Sequence, residues 1–171
     1  MEAKSGEDIK VPGLMDTFLI CLKMIFLSEK SLFRLIIDSR LNYNLVTIFL
    51  LTILVPYKPF KGDGVYDVEN IFSGLIMTFF FIVFLYIFLP KKNLPLSSFL
   101  RLFVSFEVIS IFSPISFLLK KEYLIFFSIF LLLWYLFLSV FVFSKISGLS
   151  RTKSVAFVIM SYILSNFIIL F

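Results

Sequence analysis

Apolar residues run along this chain in long blocks rather than in alternation, and short segments rich in Pro, Gly, Lys and Asp separate the blocks. Ile71 to Leu89 is the clearest, with 19 residues free of charge ended by Pro90-Lys91-Lys92. At a rise of about 1.5 Å per residue, such a block matches a hydrocarbon core about 30 Å thick. Comparable blocks cover residues 41–56, 98–119, 123–143 and 155–171, so the pattern predicts an all-α integral membrane bundle of five transmembrane helices. The block from Leu14 to Leu27 is too short to span. Asp16, Lys23 and Lys30 recur every seven residues as one thin polar stripe, which predicts a helix lying on or entering the interface, with Phe18, Leu22, Ile25 and Phe26 among acyl chains. Ser28 is placed to cap a second amphipathic helix over Glu29 to Ser39, carrying Lys30, Arg34 and Asp38. Residues 14–40 are thus read as amphipathic interfacial helices, and residues 1–13 as a cytoplasmic tail.

Composition sharpens this picture. Of 171 residues, 60% are hydrophobic and 16% charged, too apolar and too sparsely charged for a soluble domain. Histidine is absent and Cys21 is the single cysteine, which removes zinc sites, Ser-His-Asp triads and disulfide frameworks. No metal, cofactor or catalytic residue is therefore expected. The loop Tyr57 to Asn70 carries Asp63, Asp67 and Glu69 without the spacing of a calcium loop and reads as a solvated turn.

Lys and Arg number six before Leu41, three from Pro90 to Arg101 and three from Lys145 to Lys153, against two in each remaining loop. The positive-inside rule then puts the N-terminus in the cytoplasm and the C-terminus outside a cell membrane. Lys145, Arg151 and Lys153 would face anionic headgroups on the cytoplasmic side, making the bilayer itself the expected partner, with self-association or other membrane proteins beside it and no nucleic acid. Gly148 can stop one helix of that hairpin and Ser150 can cap the next.

The block 98–119 differs in kind, since it holds Arg101, Glu107, a series of serines and Pro114. A charged carboxylate at the centre of a span costs about 2.5 kcal/mol or more. In an α-helix Glu107, Ser110 and Pro114 share one face, with Ser113 close to it, so this face should point into the bundle. Two readings stay open: an ion relay or polar pocket loosened by Pro114, or a protonated Glu bonded to a neighbouring helix. Asn166, with Tyr162, Ser161 and Ser165, offers such a neighbour. Arg101 is expected to snorkel to the cytoplasmic interface.

The order of elements resembles the Yip domain family of Ypt/Rab-interacting multipass membrane proteins across nearly the whole chain. The resemblance is carried by Phe18 to Phe33 running into Ser31-Leu32-Phe33-Arg34, by Ser98-Phe99-Leu100-Arg101 leading to Ser113-Pro114, and by Ser147-Gly148-Leu149-Ser150-Arg151-Thr152-Lys153-Ser154 before the last helix. It implies five helices, a cytoplasmic N-terminus, no enzymatic activity and a membrane-organising or trafficking role as a scaffold. Eukaryotic members carry a long N-terminal region with a tyrosine-glycine-proline signature, which is missing here; this chain is similar to a compact prokaryotic member. The alternative drawn from the residues alone is a small transporter or channel subunit using Glu107.

Overall fold

A computed structural model describes residues 12–58, 68–90 and 94–170, and every element among them is helical. Asp63, Asp67, the Glu69 side chain, Lys91, Lys92, Phe171 and the tail before Pro12 lie outside the described residues. In chain order the helices are α1 (Leu14–Ile25), α2 (Glu29–Ile37), α3 (Asn42–Ile53), α4 (Val68–Ile87), α5 (Leu96–Phe106), α6 (Lys121–Ser147) and α7 (Arg151–Leu170). Two 3₁₀ segments complete the list, Ser39–Leu41 before α3 and Glu107–Leu118 after α5.

Two helical stretches, Leu96–Leu118 and Lys121–Ser147, are long and apolar enough to cross a membrane, and a third qualifies if the bent pair Glu29–Ile37 and Ser39–Ile53 counts as one span. Ile71–Ile87 is a shorter apolar helix. Helices thus occupy all five expected positions, while two or three of them meet the length of a crossing. The exposed faces agree with lipid rather than water. Only 17% of the most apolar stretch of α6 is buried, and Phe126, Ile129, Phe130, Leu133 and Phe137 project from one side of it. Large apolar side chains on a free face need an apolar surrounding.

Local chemistry explains the helix ends. Asp16 reaches back to the Gly13 amide at 3.3 Å, and Lys23 sits in the last turn of α1, so each charge complements the helix dipole. Ser28 Oγ accepts from the Ser31 amide at 3.4 Å, as its position predicts. Asp38 then accepts from the Arg40 amide and guanidinium, at 3.1 and 2.8 Å, turning the chain into α3; the bonds to Arg40 hold its carboxyl below the usual range. Gly148 closes α6 with φ +67, a left-handed conformation that costs a residue with Cβ about 1 kcal/mol or more.

The two N-terminal helices do not share one environment. α2 meets the segment Ser39–Ile53 at 87° and lies across the end of the bundle: Glu29 at its start pairs with Lys145 of α6 at 2.6 Å, while its last turn abuts Arg101 of α5. Phe33 and Ile37 project outward from it, as an interfacial helix requires. α1 instead enters the bundle. Asn44 at the head of α3 donates to Pro12 O (2.8 Å), and Trp134, in the middle of α6, donates to Ile25 O (3.1 Å). Thr17, Ile20, Cys21, Met24 and Ile25 are buried, so Ile25 belongs to the protein core and not, as expected, to the acyl phase. Burial pushes the Cys21 thiol up to about 12, which leaves it an inert apolar side chain.

The core is an aromatic ladder. Phe99, Phe103 and Phe106 of α5 lie 4.9 and 5.0 Å apart by ring centroid; Phe81 of α4 and Tyr135 of α6 pack against them at 6.0 and 5.6 Å. Lipid tails are as apolar as the side chains, so helix association here rests on close contact and hydrogen bonds rather than on removal from water.

Candidate functional site

The site is built where the chain stops being an α-helix. Pro114 has no amide hydrogen and its ring opposes the carbonyl of residue 110, so an α-helix cannot run through it undistorted. Ser105 Oγ donates to Leu102 O at 2.6 Å and Ser110 Oγ lies 2.7 Å from Glu107 O, both side chains competing for backbone acceptors three residues earlier. The result is a 3₁₀ segment of 12 residues, long for this helix type.

This changes which residues share a face. Three residues per turn put Glu107, Ser110, Ser113 and Ser116 in a single row. Ser113 and Ser116 are buried, whereas Pro114 is exposed, so the expectation that Pro114 shares the Glu107 face is corrected. The α-helical spacing used for that expectation does not apply to the segment. Ser116 Oγ accepts from the Lys58 amide at 2.9 Å, and Ser110 Oγ also lies 3.2 Å from Thr52 O at the end of α3, which ties the row to the neighbouring chain.

Glu107, Ser110 and Ser113 line a cavity of about 270 Å³ between the 3₁₀ segment and α4, α6 and α7. Thr78, Phe81, Phe106, Tyr135 and Tyr162 supply much of the remaining wall. A smaller cavity of about 130 Å³ lies on another side of Glu107, toward Phe49, Leu75 and Phe103. Among the described residues no side chain bonds or pairs with the Glu107 carboxyl. The Tyr135 hydroxyl is buried without a hydrogen-bond partner. An unmet buried hydroxyl costs about 1–3 kcal/mol, so the Tyr135 oxygen is a departure from ordinary packing beside the unpaired Glu107 carboxyl.

Asn166 does not serve as the partner expected of it. Its Nδ2 donates to Tyr162 O at 2.7 Å and Ser165 Oγ donates to the same carbonyl at 2.8 Å, so both are satisfied within α7. Helical back-bonding competed successfully with a contact across helices. Tyr162 does reach the cavity. Tyr135 and Thr78 were not singled out from the sequence, although a tyrosine at the middle of a span, away from the interfacial belts, is a usable signal.

Arg101 does not snorkel. It is 7% exposed, with Nε donating to Leu35 O (2.8 Å), Nη2 to Ile36 O and Ser98 Oγ (both 2.6 Å) and Nη1 to Asn42 Oδ1 (3.0 Å). The guanidinium thus satisfies the orphan carbonyls of the last turn of α2 and places a cation at its negative end. Lys145, Arg151 and Lys153 lie at one end of the bundle, around the turn at Gly148. Arg151 and Lys153 occupy the first turn of α7, where a cation opposes the helix dipole. The described residues hold no group of three His, Cys, Asp or Glu able to bind a metal.

Comparison of the chain with protein-family models, with characterised proteins and with solved structures gives no match. The resemblance to the Yip domain family rests on the sequence segments quoted above.

Proposed function

We propose that this chain is a non-enzymatic multi-pass membrane protein, with five spans, a cytoplasmic N-terminus and an outside C-terminus, that handles a small ligand or ion at Glu107 in the manner of a small transporter or channel subunit. The observation that carries the reading is the Glu107 carboxyl left without a partner on a cavity of about 270 Å³. Ionisable groups at membrane depth are costly and mark ligand or ion pathways by default. An interrupted helix at the same place is the usual way such a site is exposed. The test is flux into proteoliposomes loaded with a pH-sensitive dye. Wild type is expected to dissipate an imposed proton gradient faster than protein-free vesicles, and Glu107→Gln to fall back to the protein-free rate. Equal rates for wild type and Glu107→Gln would contradict the reading.

A second reading, the Yip-like scaffold or membrane-organising factor, is favoured by α2. It lies crosswise at the end of the bundle, projects Phe33 and Ile37, and carries Lys30 and Arg34, which suits a cytoplasmic leaflet with anionic headgroups. Deleting residues 15–39 would remove part of the core and tests nothing. The surface double change Phe33→Asp with Ile37→Asp keeps the buried Leu32 and Leu35. In this reading it abolishes the narrowing of vesicles by wild-type protein, measured as vesicle diameter at fixed protein-to-lipid ratio; unchanged diameters would exclude it.

A further inference from the structure

We infer that the cavity beside Glu107 takes an organic cation, an ammonium head carrying an apolar arm; this rests on the ligand-handling reading of the site. A single unpaired carboxyl lines the cavity, and among its described lining residues there is no Lys, Arg or second acid. An anion would meet only repulsion there. A bare metal ion needs six or more oxygen ligands if it is calcium or magnesium, and the oxygens here are few. Glu107 is the one acid on the wall, and no acidic cluster exists among the described residues.

The rest of the wall suits an organic cation. Phe81, Tyr135 and Tyr162 bring aromatic side chains to the same wall, and the fully buried Phe106 packs behind Tyr135 at 87°. Aromatic rings set around a carboxylate attract ammonium groups through their negative faces, with the greatest benefit where water is excluded. The Tyr135 oxygen itself is closed off from the cavity, so Tyr135 offers a ligand its ring and not its hydroxyl. A cavity of about 270 Å³ has room for such a head and part of an arm. The mainly apolar lining favours a carbon-rich cation over a hydrated one.

The test is isothermal titration of benzyltrimethylammonium into wild-type protein in nanodiscs of zwitterionic lipid, with neopentylbenzene as the uncharged competitor of the same shape. Saturable binding is expected. The competitor should fail to displace it, Glu107→Gln should weaken it by about tenfold or more, the equivalent of about 1.4 kcal/mol, and Tyr135→Phe should weaken it less. Displacement by neopentylbenzene in the wild-type protein would overturn the inference without reference to any variant, since it would show a cavity that selects shape alone. Equal binding to wild type and Glu107→Gln, or no binding to wild type, would overturn it too. If benzyltrimethylammonium does not bind while Glu107-dependent proton flux persists, the cation inference fails and the ligand-handling reading stands; loss of both removes the two together.

Discussion

Arg101→Ala is expected to destabilise the protein by about 3–5 kcal/mol, because each buried polar group left unmet costs about 1–3 kcal/mol. Four oxygens lose their donor at once: Leu35 O, Ile36 O, Asn42 Oδ1 and Ser98 Oγ. Two of these are end carbonyls of α2 that no intrahelical amide can reach, so alanine exposes the end of that helix as well as the core beneath it. Arg101→Lys separates charge from geometry. An ammonium keeps the cation at the C-terminal end of α2 but cannot spread donors along a planar fork, so it should recover part of the loss. Thermal unfolding in nanodiscs, with proteolysis near residues 26–28 as a local readout, checks both. A fully exposed, snorkelling arginine would give a change near zero.

Phe103→Ala carries the second large effect, about 3–5 kcal/mol for an aromatic side chain removed from a core. Phe103 is fully buried and touches Phe81, Phe99 and Phe106, so it is the junction between α4 and the two turns of α5 on either side of it. In a bilayer this loss is a loss of contact rather than of hydrophobic transfer, and lipid cannot refill a hole inside the bundle. Phe103→Leu should recover about half of it. A comparable truncation on the lipid face, Phe130→Ala, should change stability little, because Phe130 is 54% exposed. Equal losses at the two positions would contradict the placement of the core.

Patterns of charge and apolarity made the coarse fold legible. The end of α6 at Gly148, the Ser28 cap, and the separate identity of α4, α6 and α7 all follow from local residues whose effect does not depend on neighbours. Three features did not follow, each for a physical reason. Arg101 is a long amphipathic side chain near a span end, and only the arrival of α2 above it makes burial cheaper than snorkelling. In α1 the short length and the stripe of Asp16, Lys23 and Lys30 describe a surface helix equally well; Trp134 reaching Ile25 O is a tertiary fact. The 3₁₀ segment was present in the sequence as Pro114 and as serines spaced by three from Glu107, but a period of 3.6 was assumed where 3.0 applied. With three residues per turn Pro114 leaves the face, while Glu107, Ser110 and Ser113, already expected on or near it, stay.

On the ligand-handling reading proposed above, Glu107 is kept for a ligand and not for the fold. Thermal unfolding of wild type and Glu107→Gln, each in nanodiscs at pH 7, tests it most directly. The glutamine protein is expected to unfold at the same temperature as wild type or higher, because the carboxyl has no partner among the described residues and its removal relieves a cost. A clear drop in unfolding temperature would show that Glu107 clasps a neighbouring helix, and would contradict the claim.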